Sequence, residues 1–306
     1  MSPPAGIDTD ALARPEFLPD PDRSRKEMES LQRELAASAT FVDDLGFGPD
    51  AVAFDEPADL SAGLPPARTE ALGELDANPD APVVVGVDQA FRPERDEAVS
   101  AAVAFRGGRV VEYAEAVTPL SIPYVPGLLA FREGEPMLAA LEDLSVAPDF
   151  LVCDGSGRIH FRQAGIATHI GVICDLPSVG VAKSLLCGEP DEPVGERPEG
   201  WSTPIRADDS VERVGGLDED RTGDDADVGT DPPGTDLPVV GHAYQSRQYP
   251  NSRRVNPLYV SPGHRVSPET AVDLVAALCA GYKLPEPTRL ADAHADRVKR
   301  RLGGDE

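Results

Sequence analysis

Apolar and polar positions fall into a regular order from residue 82 onward. Residues 82–88 (PVVVGVD) form a near-continuous apolar run, which predicts a buried strand. Residues 99–105 (VSAAVAF) and 109–117 (RVVEYAEAV) predict two more strands, and Arg106-Gly107-Gly108 between them signals a hairpin. Residues 128–144 carry apolar side chains at helical spacing. A strand at 149–154 (DFLVCD), a helix over 161–174 and a strand at 178–182 (SVGVA) follow. Three hairpin-linked strands, then helix, strand, helix, strand, describe an α/β mixed sheet flanked by helices. Its first and fourth strands can lie side by side, and both end in aspartate.

Outside this block the pattern is weaker. Residues 1–24 are rich in Pro and Asp and predict a flexible segment. Met28, Leu31, Leu35 and Phe41 mark a helical stripe over 25–44. Residues 49–80 and 189–236 are broken by Pro, Gly and Asp and read as insertions into a single domain spanning 25–306. Within the second, residues 207–236 hold eleven acidic side chains against two arginines and predict a solvated acidic loop. Order returns with strands at 237–244 and 257–264 and helices at 267–279 and 288–302.

Charge changes the picture next. Asp and Glu number 54 against 28 Lys and Arg, a net charge of −26, and only four of the basic residues are lysine. An acidic surface nearly stripped of lysine suits molar salt, where self-repulsion is screened within about 3 Å. A halophile's protein is expected. With no leader-like start and no run of about 18 apolar residues, the default location is the cytoplasm. The four cysteines show no CxxC pairing and read as reduced thiols. Residues 237–306 reverse the balance, with ten basic against seven acidic side chains, which points to a phosphate-bearing partner.

Asp88 and Asp154, at the ends of strands one and four, would make an open oxygen cage for a hard cation such as Mg²⁺. Taken alone, two such aspartates are more often helix caps or loop residues. Their company shifts the balance: Glu133 beside Arg132, His160 and Arg162 shortly after Asp154, and Lys183 directly after a strand in an almost lysine-free chain. His264 precedes a helix and could reach the same pocket. His169 lies on an apolar face and is read as structural. Pro123-Tyr124-Val125-Pro126 is a stiff loop whose tyrosine could project as a wedge between bases.

The segments VGVDQAF, PYVPGLLAFREG, DFLVCDGSGRIHFRQAGIATHIGV, DLPSVGVAKS and SPGHRVSPETAVDLV…GYKLPEPTRLAD together resemble the endonuclease V family of deoxyinosine-directed nucleases. The resemblance implies a ribonuclease H-like fold and Mg²⁺-dependent cleavage, with Mn²⁺ able to substitute. The implied cut is at the second phosphodiester bond 3′ to a deaminated base in DNA, leaving 3′-hydroxyl and 5′-phosphate ends. It implies that Asp88, Glu133 and Asp154 hold the metal, that Lys183, His160 and His264 belong to the catalytic site, and that Tyr124 separates strands. Gly127, Leu128 and Leu186 are implied in the base pocket. The chain departs from the family pattern at Ser156 and Gln89. Two alternatives stay open: an endoribonuclease acting on inosine in RNA, and a non-catalytic nucleic-acid-binding protein on the same fold.

Overall fold

The computed structural model describes residues 7, 12–68, 80–213 and 237–304. The central feature is a nine-stranded sheet in the order β3-β2-β1-β4-β5-β9-β8-β7-β6. Strands β1 (Val83–Arg92), β2 (Glu97–Arg106) and β3 (Arg109–Pro119) form the expected antiparallel meander. The short strands β4 (Phe150–Asp154) and β5 (Ser178–Ala182) run parallel to β1, each reached through a helix. These helices are α2 (Leu129–Glu142) and α3 (Ile166–Cys174). Strands β9 (Leu258–His264), β8 (Val239–Tyr244), β7 (Ser202–Arg206) and β6 (Glu189–Pro190) extend the sheet antiparallel on the far side.

Side chains alternate across the strands and divide the core in two. Val83, Val85 and Val87 pack with α1 (Arg25–Ser38), α2 and α3, around Leu31, Met137 and Ile170. Val84, Phe150, Val152 and Val181 face the other side and pack on Leu274 and Leu278 of α4 (Pro268–Leu278). On that second face α5 (Glu286–Gly303) lies along β1 and β2, with Ala90 and Val99 against Ala295 and Val298. Helix α1 starts where Ser24-Arg25-Lys26-Glu27 makes a reciprocal capping box.

Gly86 sets how closely α5 approaches. A Cβ on Gly86 would lie 2.2 Å from the backbone carbonyl of Pro287, so any larger residue would push the helix off the strand. The helix then climbs beside β1 toward its C-terminal end. Five residues of helix rise about 7.5 Å and two residues of strand about 6.6 Å, so Asp292 comes level with Asp88.

Several segments that the sequence suggests are loose turn out to be packed. Phe17, in a short 3₁₀ turn (Pro15–Phe17), is buried, and its carbonyl accepts a hydrogen bond from His169 Nε2 at 2.7 Å. Part of the expected flexible N-terminal segment is therefore a strap over α3. Residues 49–68 cross the sheet, with Val52 buried and Phe54 edge-on to Phe105 at 5.3 Å; residues 69–79 lie outside the described residues. The expected insertion at 189–236 contains β6 and β7, so its first part belongs to the sheet. The start of the expected acidic loop is also fixed, because Ala207 and Val211 are buried with Ile159, Ile205 and Val240. Glu212 grips Arg33 with both oxygens, at 2.6 and 3.0 Å. Residues 214–236 lie outside the described residues. Each of these segments is held by a few apolar anchors, too sparse to produce periodicity. The expected helix over 161–174 begins only at Ile166, since residues 158–165 form a tight series of turns braced by Arg158 Nε donating to Gln163 Oε1.

Candidate active site

Val87 pairs with Cys153 in the parallel register, so Asp88 and Asp154, the next residues, stand level on adjacent strands. Both share the face of Val84 and Val152, the face covered by α5. Asp88 is 6% exposed. Its Oδ1 accepts from the Gln89 amide at 2.6 Å, while Oδ2 is buried without a donor among the described residues. Burial first, and the Asp154 charge second, push the Asp88 carboxyl up to about 8. Lys183 closes the other side: its Nζ donates to Asp154 Oδ2 at 2.7 Å. Burial pulls the Lys183 ammonium down, but Asp154 and the further acidic charges outweigh it and hold it above the ordinary value.

Glu133 comes from α2, across the sheet, and is buried. Burial raises its carboxyl to about 7; Arg132 opposes this and Asp154 adds to it. Gln89 has a clear task here, because its Nε2 donates to the Glu133 carbonyl at 2.9 Å and ties α2 to β1. The position at which the chain departs from the family pattern thus fixes the helix carrying Glu133.

The site has a member that the sequence does not single out. Asp292 of α5 lies within hydrogen-bonding reach of Asp88, and the two can bond only when one is protonated. Burial raises its carboxyl, partly offset by Lys183. An aspartate on an amphipathic helix reads as a solvent-facing residue. The only sequence signal was that the segment GYKLPEPTRLAD ends on it, with Gly86 two positions before Asp88 leaving room for its helix.

The remaining expected site residues separate. His160 is buried. Its Nε2 contacts the Gly127 carbonyl at 3.1 Å and its Nδ1 accepts from the Arg162 amide at 3.2 Å, so the ring is neutral with the proton on Nε2. Burial holds it down to about 4. In this structure its contacts brace the loop at Gly127. His264 sits at the opposite end of the sheet. It pairs with Ser178, four residues along β9 from Val260, which pairs with Val181 beside Asp154. That is about 13 Å of strand. His264 Nδ1 accepts from the Thr40 amide, and Nε2 meets Asp175 at 3.2 Å. It does not reach the carboxylates, because the strand preceding α4 runs away from them.

Tyr124 is 66% exposed, flanked by exposed Pro123 and Pro126 and half-buried Val125. The loop is clamped at both ends. Arg132 Nη1 donates to the Ile122 carbonyl at 2.7 Å, and the Gly127 carbonyl takes Gln32 Nε2 at 3.0 Å as well as His160. Gly127 turns with φ +78°, which a side chain would strain. Of the expected base-pocket residues, Leu128 is buried in the main core and Leu186 is exposed in the loop after Lys183.

The profile of the endonuclease V family matches residues 69–223 and 230–293. The chain belongs to the endonuclease V family. An endonuclease V from Natronomonas pharaonis is 52% identical over 292 residues, covering 95% of this chain and 98% of the relative. The crystal structure of endonuclease V from Streptomyces avermitilis, 33% identical, superposes with a TM-score of 0.62 over 92% of this chain and 95% of that one. A Ciona intestinalis endonuclease V, crystallised with a 24-mer DNA containing an inosine followed by a ribo-adenosine, shares the fold at 23% identity and a TM-score of 0.58. It covers 90% of this chain and 98% of that one. The mixed sheet flanked by helices is thus the endonuclease V fold, and as a family member the chain is a nuclease. No helix among the described residues is long and apolar enough to cross a membrane.

The donor set fits a hard cation. All the acidic ligands are oxygens, and Asp88 Oδ2 is buried with no hydrogen-bond donor among the described residues unless it or Asp292 is protonated. The like-charged carboxylates around it would be relieved by positive charge. As they stand, no three His, Cys, Asp or Glu side chains among the described residues are close enough to hold an ion by themselves, so binding would draw Asp88, Asp154, Glu133 and Asp292 in around it. Hard cations such as Mg²⁺ take oxygen ligands of this kind, with waters and substrate phosphate completing the shell.

Proposed function

We propose that this chain is a Mg²⁺-dependent endonuclease that cuts DNA at the second phosphodiester bond 3′ to a deaminated base, deoxyinosine above all. It leaves 3′-hydroxyl and 5′-phosphate ends and serves DNA repair. The observation that carries the reading is the cluster of Asp88, Asp154, Lys183 and Asp292 at one end of the sheet, on a chain of this family. The inosine-containing DNA bound by the Ciona relative supports the choice of substrate. Asp88, Asp154 and Glu133 would hold Mg²⁺ or Mn²⁺, with Asp292 joining them. When bound, the ion supplies an activated water and charge relief on the phosphorane-like transition state.

The chain's own residues do the rest. Lys183, already paired with Asp154, offers its remaining N–H donors to a phosphate oxygen. The clamped Tyr124 loop holds an aromatic ring out from the surface, where it can enter a base stack. Gln32 and His160 keep the root of that loop fixed, so the work of opening a stack is not lost to loop motion. The surface charge of −26 points to a cytoplasm rich in salt.

The test is cleavage of a strand carrying one deoxyinosine, with cut sites mapped, in Mg²⁺, in Mn²⁺ and in chelator. Asp154→Asn is the control. Cutting one bond beyond the 3′ neighbour of inosine, lost in chelator and in the variant, is expected. Metal-independent cutting or equal cutting of undamaged strands would refute the reading. A parallel inosine-containing RNA strand distinguishes the ribonuclease alternative.

A further inference from the structure

The loop between β8 and β9 leaves the sheet at the end where Asp154 stands. Ala182 pairs with Tyr259, and Tyr244 with Leu258, at the same end as the Asp154–Val181 pair. Counting strands across, the loop starts about 10–15 Å from Asp154. Residues 245–256 (QSRQYPNSRRVN) hold three arginines and no carboxylate. In a chain where more than one residue in six is acidic, two carboxylates would be expected there.

The loop is also built. Buried Gln245 spends its Nε2 on the Arg247 and Val255 carbonyls at 2.8 and 2.9 Å. Gln248 Nε2 bonds the carbonyls of Arg197 and Val255, and its Oε1 accepts from the Val255 amide. Pro250 and Asn251 turn the tip, closed by the Tyr249–Ser252 bridge. Ser246 Oγ donates to the Lys283 carbonyl at 2.6 Å, joining this loop to the one before α5. The charged and aromatic side chains are left available. Arg247 and Arg254 make no ion pair among the described residues, and Arg253 spends one N–H on the Glu196 carbonyl. Tyr249 is 56% exposed, and a groove of about 640 Å³ lies between it, Pro198, Glu199 and Arg253, where the Glu199 carboxylate accepts from the Gln248 amide at 3.0 Å. Lys283, one of only four lysines, stands near enough to Lys183 that their charges repel.

We propose that this shelf is a second strand-binding surface. Arg247, Arg253, Arg254 and Lys283 contact phosphates of a nucleic-acid strand, and Tyr249 stacks on one of its bases. The partner is a single strand because an open aromatic ring beside guanidinium groups without ion-pair partners among the described residues recognises an unstacked base with its backbone. A duplex presents no free base face. At a rise of about 3.4 Å per nucleotide, the span from Asp154 is three or four nucleotides. The surface thus requires the strand to continue past the cut on one side. This inference rests on the nuclease reading for its substrate but makes a separate claim about binding.

The test uses full-length protein and single strands carrying one deoxyinosine, lengthened stepwise on the 5′ or the 3′ side. Binding is read by fluorescence anisotropy without divalent metal, and KM and kcat with Mg²⁺. Wild-type affinity should rise with length on one side only, levelling off after about four nucleotides. R253Q/R254Q and Y249A should each remove that gain and raise KM about tenfold at unchanged kcat and unchanged circular dichroism. The double variant should reduce the slope of log affinity against log salt by about 1.4. K283Q is the second probe, should the loop variants misfold. Variants that bind and cut like wild type, or that lose kcat at unchanged KM, would overturn the proposal. Wild-type protein that shows the length-dependent gain yet cuts no inosine strand would refute the nuclease reading and leave this surface standing. Cutting without any length-dependent gain would do the reverse.

Discussion

The site should cost the metal-free protein stability, and Asp88→Asn should recover it. The Asp88 carboxyl stands at 3.8 when exposed and about 8 in the fold. At pH 7 it must take up a proton, or bear its charge, to fold, which costs on the order of 4 kcal/mol. Asparagine has nearly the same shape, carries no charge, and can donate an N–H to Asp292. Because Asp154 and Asp292 share the repulsion, part of the cost remains with them, and a net gain of about 2 kcal/mol is expected. For a chain of this size that raises Tm by roughly 4–8 °C. The sign follows from a carboxyl whose folded value is raised. Below pH 3.8 both states are protonated and the two proteins differ little. Between 3.8 and 8 the unfolded wild type sheds its proton and is favoured progressively, so the gap widens with pH and levels off above 8. The assay is thermal unfolding by circular dichroism in chelator, at fixed high salt, from pH 5 to 8.5. Added Mg²⁺ should then raise the wild-type Tm and leave the variant unmoved, while the variant cuts no DNA. A variant that melts below wild type at pH 8 in chelator, or by the same margin at pH 5 and pH 8, would refute the electrostatic account of the site.

Three further outcomes follow from the structure. Tyr124→Ala should slow cutting of duplex DNA at least tenfold more than cutting of a single strand, since only the duplex must be opened; equal losses would mean the ring serves direct contact. Val211→Asp should lower stability by about 2 kcal/mol in denaturant unfolding, because it buries a charge among Ile159, Ile205 and Val240; a neutral result would show that residues 207–212 are not anchored as described. Cleavage should rise from about 0.1 M KCl to an optimum above about 1 M, as screening removes self-repulsion between charges summing to −26. Full activity and a native spectrum in dilute KCl, declining with added salt, would sink the expectation of a halophile's protein.

The paired aspartates were legible in the chain because parallel strands buried on both faces read as apolar runs, and each run broke at an aspartate. The lysine after the third such run stood out by scarcity, and the wedge by its two prolines. These are local signals, carried by a few consecutive residues. What stayed hidden depends on contacts between distant segments. Asp292 joins the site because Gly86 lets α5 lie directly on β1, a meeting of residues some two hundred positions apart. His160 and His264 are both histidines near motif residues, and spacing does not distinguish them. Only the fold shows that one braces Gly127 and the other lies at the far end of the sheet. Residues 12–24, 49–68 and 189–212 read as loose because their few anchors give no period. Each becomes fixed once a sheet exists for Phe17, Phe54 or Val211 to cover. A hydrophobic period thus reveals which face of an element is buried, and the tertiary structure alone decides what is buried against it.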